Sequence, residues 1–219
     1  MTVDAATLAL CSQLRGFGSS TVGAVLDDMG LGGLITQLRP VAPGLRFAGP
    51  AFTVKLEAGE LGSAHESGFK IGEYIDTPAP GTVVAIDMAG APVSALGGIA
   101  TRVAQLRGVE AIVIDGGSRD LDETRIMGFA LFVRHSLPVT GRGRVRFIST
   151  GVPIQIDGVD VAQDDILVGD DTGIVRVPRG ALNEVAARAN VIDARDRRVR
   201  EFVEQGMGFS EAFQKAEKN

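Results

Sequence analysis

Residues 82–120 read TVVAIDMAGAPVSALGGIATRVAQLRGVEAIVIDGGSRD, and the pattern in this stretch decides the fold. TVVAID, at 82–87, is a short apolar run of the kind that fills a strand covered on both faces, and AIVID at 111–115 repeats it. Between them Ile99, Val103 and Leu106 recur at helical intervals, and Gly108 stands where a helix ends on a glycine. The unit is strand, glycine loop, helix, strand, glycine loop. Such a βαβ unit predicts two parallel strands joined by a right-handed crossover. Ligands in these sheets gather at the carboxyl ends of the strands, where both glycine loops fall.

Working outward, SSTVGAVLDDMG at 19–30 predicts a helix capped by Ser19-Ser20 and closed by Gly30. LRPVAPGLRFAGPAFTVKLE at 38–57 predicts a loop running into a strand near 50–56, and residues 63–75 read as helical. Beyond residue 130, ALFVRH, GRVRFI, VPIQI, DILVG and GIVRVP are short runs separated by turn signals, which predicts a sheet of short strands. From Arg179 a long amphipathic helix follows, then a short tail, so the C-terminal helical segment spans about 179–217. No linker, low-complexity tract or fixed-period repeat divides the chain. The expectation is one mixed α/β domain over 1–219.

With 219 residues, 45% hydrophobic and 22% charged, the composition is that of a globular domain able to bury a large core. A net charge of −5 argues against nucleic acid as the main partner. No apolar stretch reaches the length of a membrane span, so a cytoplasmic protein is expected. The single cysteine, Cys11, excludes a disulfide framework and a cysteine-rich zinc site. Twenty-nine glycines point to a site built from loops.

Arg119 offers a planar fork that suits a carboxylate, and Asp120 a hard oxygen suited to magnesium or manganese. The same two residues also read as a solvated ion pair at a helix start. Asp115, at the strand end, reads as the cap of its own turn. Gly97, Gly98, Ile99 and Ala100 open a helix whose free amides form an anion cradle. Neither a nucleotide-hydrolase phosphate loop nor a Rossmann glycine fingerprint is present, which argues against a bound dinucleotide or methyl donor. His65 and His135 read as structural residues, GRGRVRF at 141–147 as a basic turn, and GDDTG at 169–173 as a hairpin turn.

Taken in order, STVGAVLDDMG, LRPVAPGLRFAGPAFTV, PGTVVAID, GGIATRVAQLRGVEAIVIDGGSRDLDE, MGFALFVRH and DILVGDDTGIVRVPRG resemble the RraA-like family. That family groups the regulator of ribonuclease activity A with metal-dependent 4-hydroxy-4-methyl-2-oxoglutarate aldolases. The resemblance implies a single-domain, swivelling β/β/α fold with a long C-terminal helix, and homotrimers or hexamers with sites at subunit interfaces. It implies a lyase that cleaves a 4-hydroxy-2-oxo dicarboxylic acid to pyruvate or decarboxylates oxaloacetate, using Mg²⁺ or Mn²⁺. Arg119 would bind the 2-oxo acid, Asp120 would hold the metal, and the amides of Gly97, Gly98, Ile99 and Ala100 would take the substrate carboxylate. Asp193 or Asp196 would reach a neighbouring subunit's site. One departure stands out: Gly98 occupies the position where the aldolases carry a carboxylate. The same resemblance leaves open a non-enzymatic regulator of a ribonuclease, or a metal enzyme for another hydroxy or sugar acid.

Overall fold

The computed structural model describes residues 2–218. Helices α1 (Ala5–Phe17) and α2 (Ser19–Asp28) lead into short strands β1 (Leu34–Ile35) and β2 (Arg39–Pro40), then the long β3 (Phe47–Ala58). The central unit follows as α3 (Ile71–Ile75), β4 (Val83–Asp87), β5 (Ser94–Leu96), α4 (Gly98–Leu106), β6 (Ala111–Ser118) and α5 (Leu121–Met127). Strands β7 (Leu131–Ser136), β8 (Val145–Thr150), β9 (Ile154–Ile156), β10 (Val159–Val161), β11 (Ile166–Asp170) and β12 (Gly173–Val177) come next. The chain closes with α6 (Leu182–Glu204) and α7 (Phe209–Glu217).

One mixed sheet runs β1-β12-β11-β3-β4-β6-β7-β2, with β5 on β6 and β8 on β3, while β9 and β10 form a separate ribbon. The expected parallel pair is present: β4 and β6 align Val83 with Ala111 through Asp87 with Asp115. Every residue of these two strands is buried, which is why their sequences read as continuous apolar runs rather than alternating ones. Alternation survives in the direction of the side chains. Val84, Ile86, Ile112 and Ile114 pack with Tyr74, Leu96 and Ala104 beneath the helices. Val83, Ala85, Ala111 and Val113 face the other way, against Phe47, Phe132, Ile154 and Ile156. A third core seats α1, α2 and α6 over β11 and β12.

Several expectations need correction. Residues 63–75 are helical only at 66–68, as a short 3-10 turn that ends on Gly68, and in α3. The strand at AIVID continues through Gly116 and Gly117 to Ser118, so no turn forms there. Asp115 therefore caps nothing. It accepts from Arg134 Nε and from the backbone N–H of Asp157 at 2.8 Å, while Arg134 also reaches Asp157 Oδ1 at 2.8 Å. Nearby, Asp87 accepts from Lys55 Nζ at 2.6 Å and from the Gln155 N–H at 3.1 Å. These buried carboxylates pin the β9–β10 ribbon to the carboxyl end of the sheet. Ser19 does not cap α2 through its own oxygen. Its N–H and hydroxyl donate to Asp170 at 2.8 and 2.7 Å, so the cap arrives from the β11–β12 hairpin. The tail after α6 is a helix, α7, which folds back on α6 around Val199, Phe202, Ala212, Phe213 and Ala216.

Candidate functional site

The site lies where two parallel strands release their chains side by side. β5 pairs with β6, setting Leu96 against Ser118, and Arg119 N–H donates to the Leu96 carbonyl at 3.4 Å. Gly97-Gly98 and Arg119-Asp120 thus leave the same edge of the sheet together. Beneath them the buried Tyr74 hydroxyl donates to the Ala95 carbonyl at 2.7 Å, which holds β5 in place.

Asp120 is the second residue past β6 and directly precedes α5, with φ 59° and ψ 41°. Left-handed backbone costs a non-glycine residue roughly 1–2 kcal/mol, and such residues cluster where function requires a particular orientation. Here the carboxylate turns back over the glycine loop. Its Oδ2 accepts from the Gly98 N–H at 3.1 Å and stands 3.5 Å from Arg119 Nε. The side chains of Arg119 and Asp120 are 47% and 40% exposed, so both can reach a bound molecule.

The two glycines are required by space. A Cβ on Gly97 would fall onto Asp120 Oδ2, and one on Gly98 would fall onto Glu123 Oε2. Two carboxylates from one turn of chain therefore occupy the volume above adjacent glycines. Glu123 Oε2 stands in the space that a side chain at residue 98 would take. Sequence reasoning missed Glu123, although its position three residues after Asp120 at a helix start was a usable signal.

A cleft of about 340 Å³ opens beside this corner, lined by Ile71, Gly72 and Ile75 of α3 and Asp76 just past it, by Gly97, Ile99, Ala100 and Val103, and by Arg119 and Asp120. The structure thus brings together Gly97, Gly98, Ile99, Ala100, Arg119 and Asp120. The first-turn amides of Ile99 and Ala100 have no carbonyl within the helix to bond, which leaves them available to an anion. The Gly98 amide is engaged by Asp120. Asp193 and Asp196 lie on α6, paired with Arg197 and Arg195, and do not line this cleft.

The donor set fits a hard divalent cation. Magnesium takes one or two protein carboxylates and completes its shell with water and ligand oxygens. Among the described residues no group of three or more His, Cys, Asp or Glu side chains gathers, so a zinc-type cage is not what this corner offers. The histidines are engaged elsewhere, His65 with Ser67 and His135 with the Gly90 carbonyl. Cys11 is buried in α1, and burial pushes its thiol up to about 12, far from a reactive thiolate. No helix of the described residues is long and apolar enough to cross a membrane.

Comparison with known proteins gives consistent matches. The model of the family described as RraA-like, Aldolase/RraA, matches residues 22–176. Protein DlpA of Legionella pneumophila is 26% identical over 205 residues, 93% of this chain but 33% of DlpA, so the chain spans about a third of that relative. A protein of Halalkalibacterium halodurans named "Putative 4-hydroxy-4-methyl-2-oxoglutarate aldolase" is 26% identical over 192 residues, 87% of each chain. Among solved structures, an uncharacterized protein from Pseudomonas syringae superposes with a TM-score of 0.85 at 27% identity, covering 98% of this chain and 96% of that one. RraAS2 of Streptomyces coelicolor, with a TM-score of 0.78 and 22% identity, covers 91% of this chain and 98% of its own and shares the fold.

Proposed function

Because the chain belongs to the RraA-like family, we propose that it is a divalent-metal-dependent carbon–carbon lyase that releases pyruvate from 4-hydroxy-2-oxo acids. The observation that carries this reading is the pair of carboxylates, Asp120 and Glu123, standing over Gly97-Gly98 beside Arg119. Asp120 and Glu123 would hold the cation, Mg²⁺ or Mn²⁺. When bound, the cation supplies Lewis-acid polarisation of the 2-oxo group, worth several kcal/mol of charge stabilisation.

The protein's own groups account for binding and orientation. The amides of Ile99 and Ala100, at the positive end of α4, take the substrate carboxylate. Loss of the proton on the 4-hydroxyl lets that oxygen form a C4 carbonyl as the C3–C4 bond breaks. The electron pair of the broken bond becomes the C2–C3 double bond of an enolate, and the 2-oxo oxygen takes the negative charge. Arg119 would donate to that oxygen, and a donor fixed in advance costs no reorganisation as the charge develops. Protonation at C3 completes pyruvate. Decarboxylation of oxaloacetate would pass through the same enolate, with carbon dioxide leaving in place of the carbonyl product.

In a homotrimer or hexamer, a neighbouring subunit would cover Ile99, which is 83% exposed beside the cleft. Pyruvate release from a panel of 4-hydroxy-2-oxo acids, measured with Mg²⁺ and with chelator, tests the function. Asp120→Ala should lower kcat/KM about a hundredfold or more. A regulator acting through protein contacts has no need of this carboxylate pair, and a panel that yields no metal-dependent pyruvate would favour it.

A further inference from the structure

We propose that a second cleft, separate from the one beside Arg119 and Asp120, binds a small polyhydroxylated molecule through its hydroxyl groups. This cleft encloses about 590 Å³, within the range of small-molecule sites, and shares no lining residue with the first. It opens at the carboxyl end of β4, where parallel sheets favour ligands. Asp87 and Asp115 each follow Ala85 and Val113 by two residues, so they fall on the face that packs against the β9–β10 ribbon. The helices α3 and α4, with the first cleft, belong to the other face.

The register of β3, β4 and β6 sets Lys55, Asp87 and Asp115 side by side, and Arg134 of β7 closes the row. Each cation is bonded to the carboxylate next to it. Both carboxylates are buried and also accept from backbone N–H groups, Asp87 from Ala89 and Gln155, Asp115 from Asp157. The cations are the exposed partners. Lys55 spends a single N–H on Asp87, and Arg134 Nη1 has no acceptor among the described residues. A ligand thus meets spare donors beside carboxylates that keep lone pairs open. A hydroxyl accepts from the one and donates to the other, so it fits such a pair without carrying charge. An anion gains less, because each cation is already neutralised by its own carboxylate. The two carboxylates stand on neighbouring strands roughly 5 Å apart, the reach of a short hydroxylated chain. On the cleft wall Ala89 takes φ 51°, a left-handed conformation that alanine seldom adopts and that clusters at functional sites. Next to it the Gly90 carbonyl accepts from His135 Nε2 at 2.9 Å, which leaves the ring's Nδ1 without a partner among the described residues.

The chain has two histidines, His135 on this cleft and His65 away from it beside Ser67, so their ring resonances give a probe that needs no variant. D-glucitol titrated into the full chain should move the NMR resonances of His135 and leave those of His65 in place, with His65→Gln fixing the assignment. Hexanoate, which has no hydroxyl, should bind about tenfold more weakly or worse, the worth of one hydrogen bond to a charged group. Lys55→Met should weaken D-glucitol by a similar factor, whereas Lys55→Arg, which keeps a cation beside Asp87, should restore most of the binding. Asp120→Ala should leave D-glucitol binding unchanged, so the outcome does not depend on the lyase reading. Unmoved His135 resonances, or hexanoate binding as tightly as D-glucitol, overturns the proposal. So does D-gluconate binding about tenfold or more tighter than D-glucitol, since the recognised group would then be a carboxylate. Unaltered binding in Lys55→Met overturns the role of the Lys55–Asp87 pair.

Discussion

Replacing Gly98 by alanine should weaken metal binding without harming the fold. The backbone at Gly98 is not in the left-handed region, so alanine can adopt it. Substitution at a compatible helix start stabilises by about 0.4–1 kcal/mol through the unfolded chain. The new Cβ would overlap Glu123 Oε2 and lie 2.8 Å from its Cδ, so the glutamate must swing away. A divalent ion and a carboxylate about 4 Å apart attract by about 2 kcal/mol in water, twice the unit-charge value. Since 1.4 kcal/mol is tenfold, the loss corresponds to about thirtyfold in the Mg²⁺ Kd. Calorimetry would measure that Kd for Gly98→Ala, Glu123→Gln and the double variant, with thermal melts alongside. Both single variants should lose affinity by a similar factor, and the double variant should be no worse than either, because both remove the same ligand. The melting temperature of Gly98→Ala should hold or rise by about 2 °C. An Mg²⁺ affinity unchanged within threefold, or additive losses in the double variant, would refute the idea that Gly98 exists to make room for Glu123.

Two further outcomes concern stability. Arg134→Ala leaves Asp115 and Asp157 without the cation that joins them, and Asp115 is only 5% exposed. Removing one partner of such a buried pair should cost about 3 kcal/mol, read as a lower urea midpoint. Acid should also destabilise the protein through two aspartates. Burial raises the cost of charging Asp157 and Asp170, but this is outweighed at Asp157 by Arg134 and the Thr36 and Gln37 amides, and at Asp170 by the Ser19 hydroxyl and amide and the Thr172 amide. Both carboxyls therefore sit below their ordinary value of 3.8 in the folded chain. Their contribution is present above that unfolded-state value and is lost as pH falls through the lower folded-state values. Unfolding free energy should thus decline below about pH 4, and Asp170→Asn should flatten that slope. A slope equal to that of the unaltered chain would exclude Asp170 as a contributor.

The central βαβ unit was legible because its strands are buried on both faces and its helix ends on a glycine, which are local properties of sequence. The corner formed by Gly97, Gly98, Arg119 and Asp120 could be listed from sequence, but its role as a site came from family resemblance. Glu123 escaped notice because its meaning depends on Gly98, a residue on another element that only the β5–β6 pairing brings near. The same holds for Asp115, whose partners Arg134 and Asp157 come from β7 and from the turn of the distant ribbon. A turn-capping role was the natural local reading, and a non-local network displaced it. Residues 63–75 misled for a different reason: the stretch read as one helix, but only a 3-10 turn at 66–68 and the five residues of α3 are helical. In α7 the signal was present, since Phe209, Ala212, Phe213 and Ala216 fall on one helical face, but the segment was short enough to pass for a tail.

The back-folded pair α6–α7 also bears on the order in which this chain assembles. Its small core joins residues close in sequence, Val199 and Phe202 with Ala212, Phe213 and Ala216. Closing such a short loop costs little chain entropy, and helical hairpins of local contacts form in microseconds to milliseconds. The sheet has no such shortcut. β3 must find β11, aligning Ile166 with Pro50, before the sheet is continuous from β12 to β4. The C-terminal hairpin can therefore be complete while the central strands are still searching for one another, and the slow step in folding belongs to the sheet that carries the site.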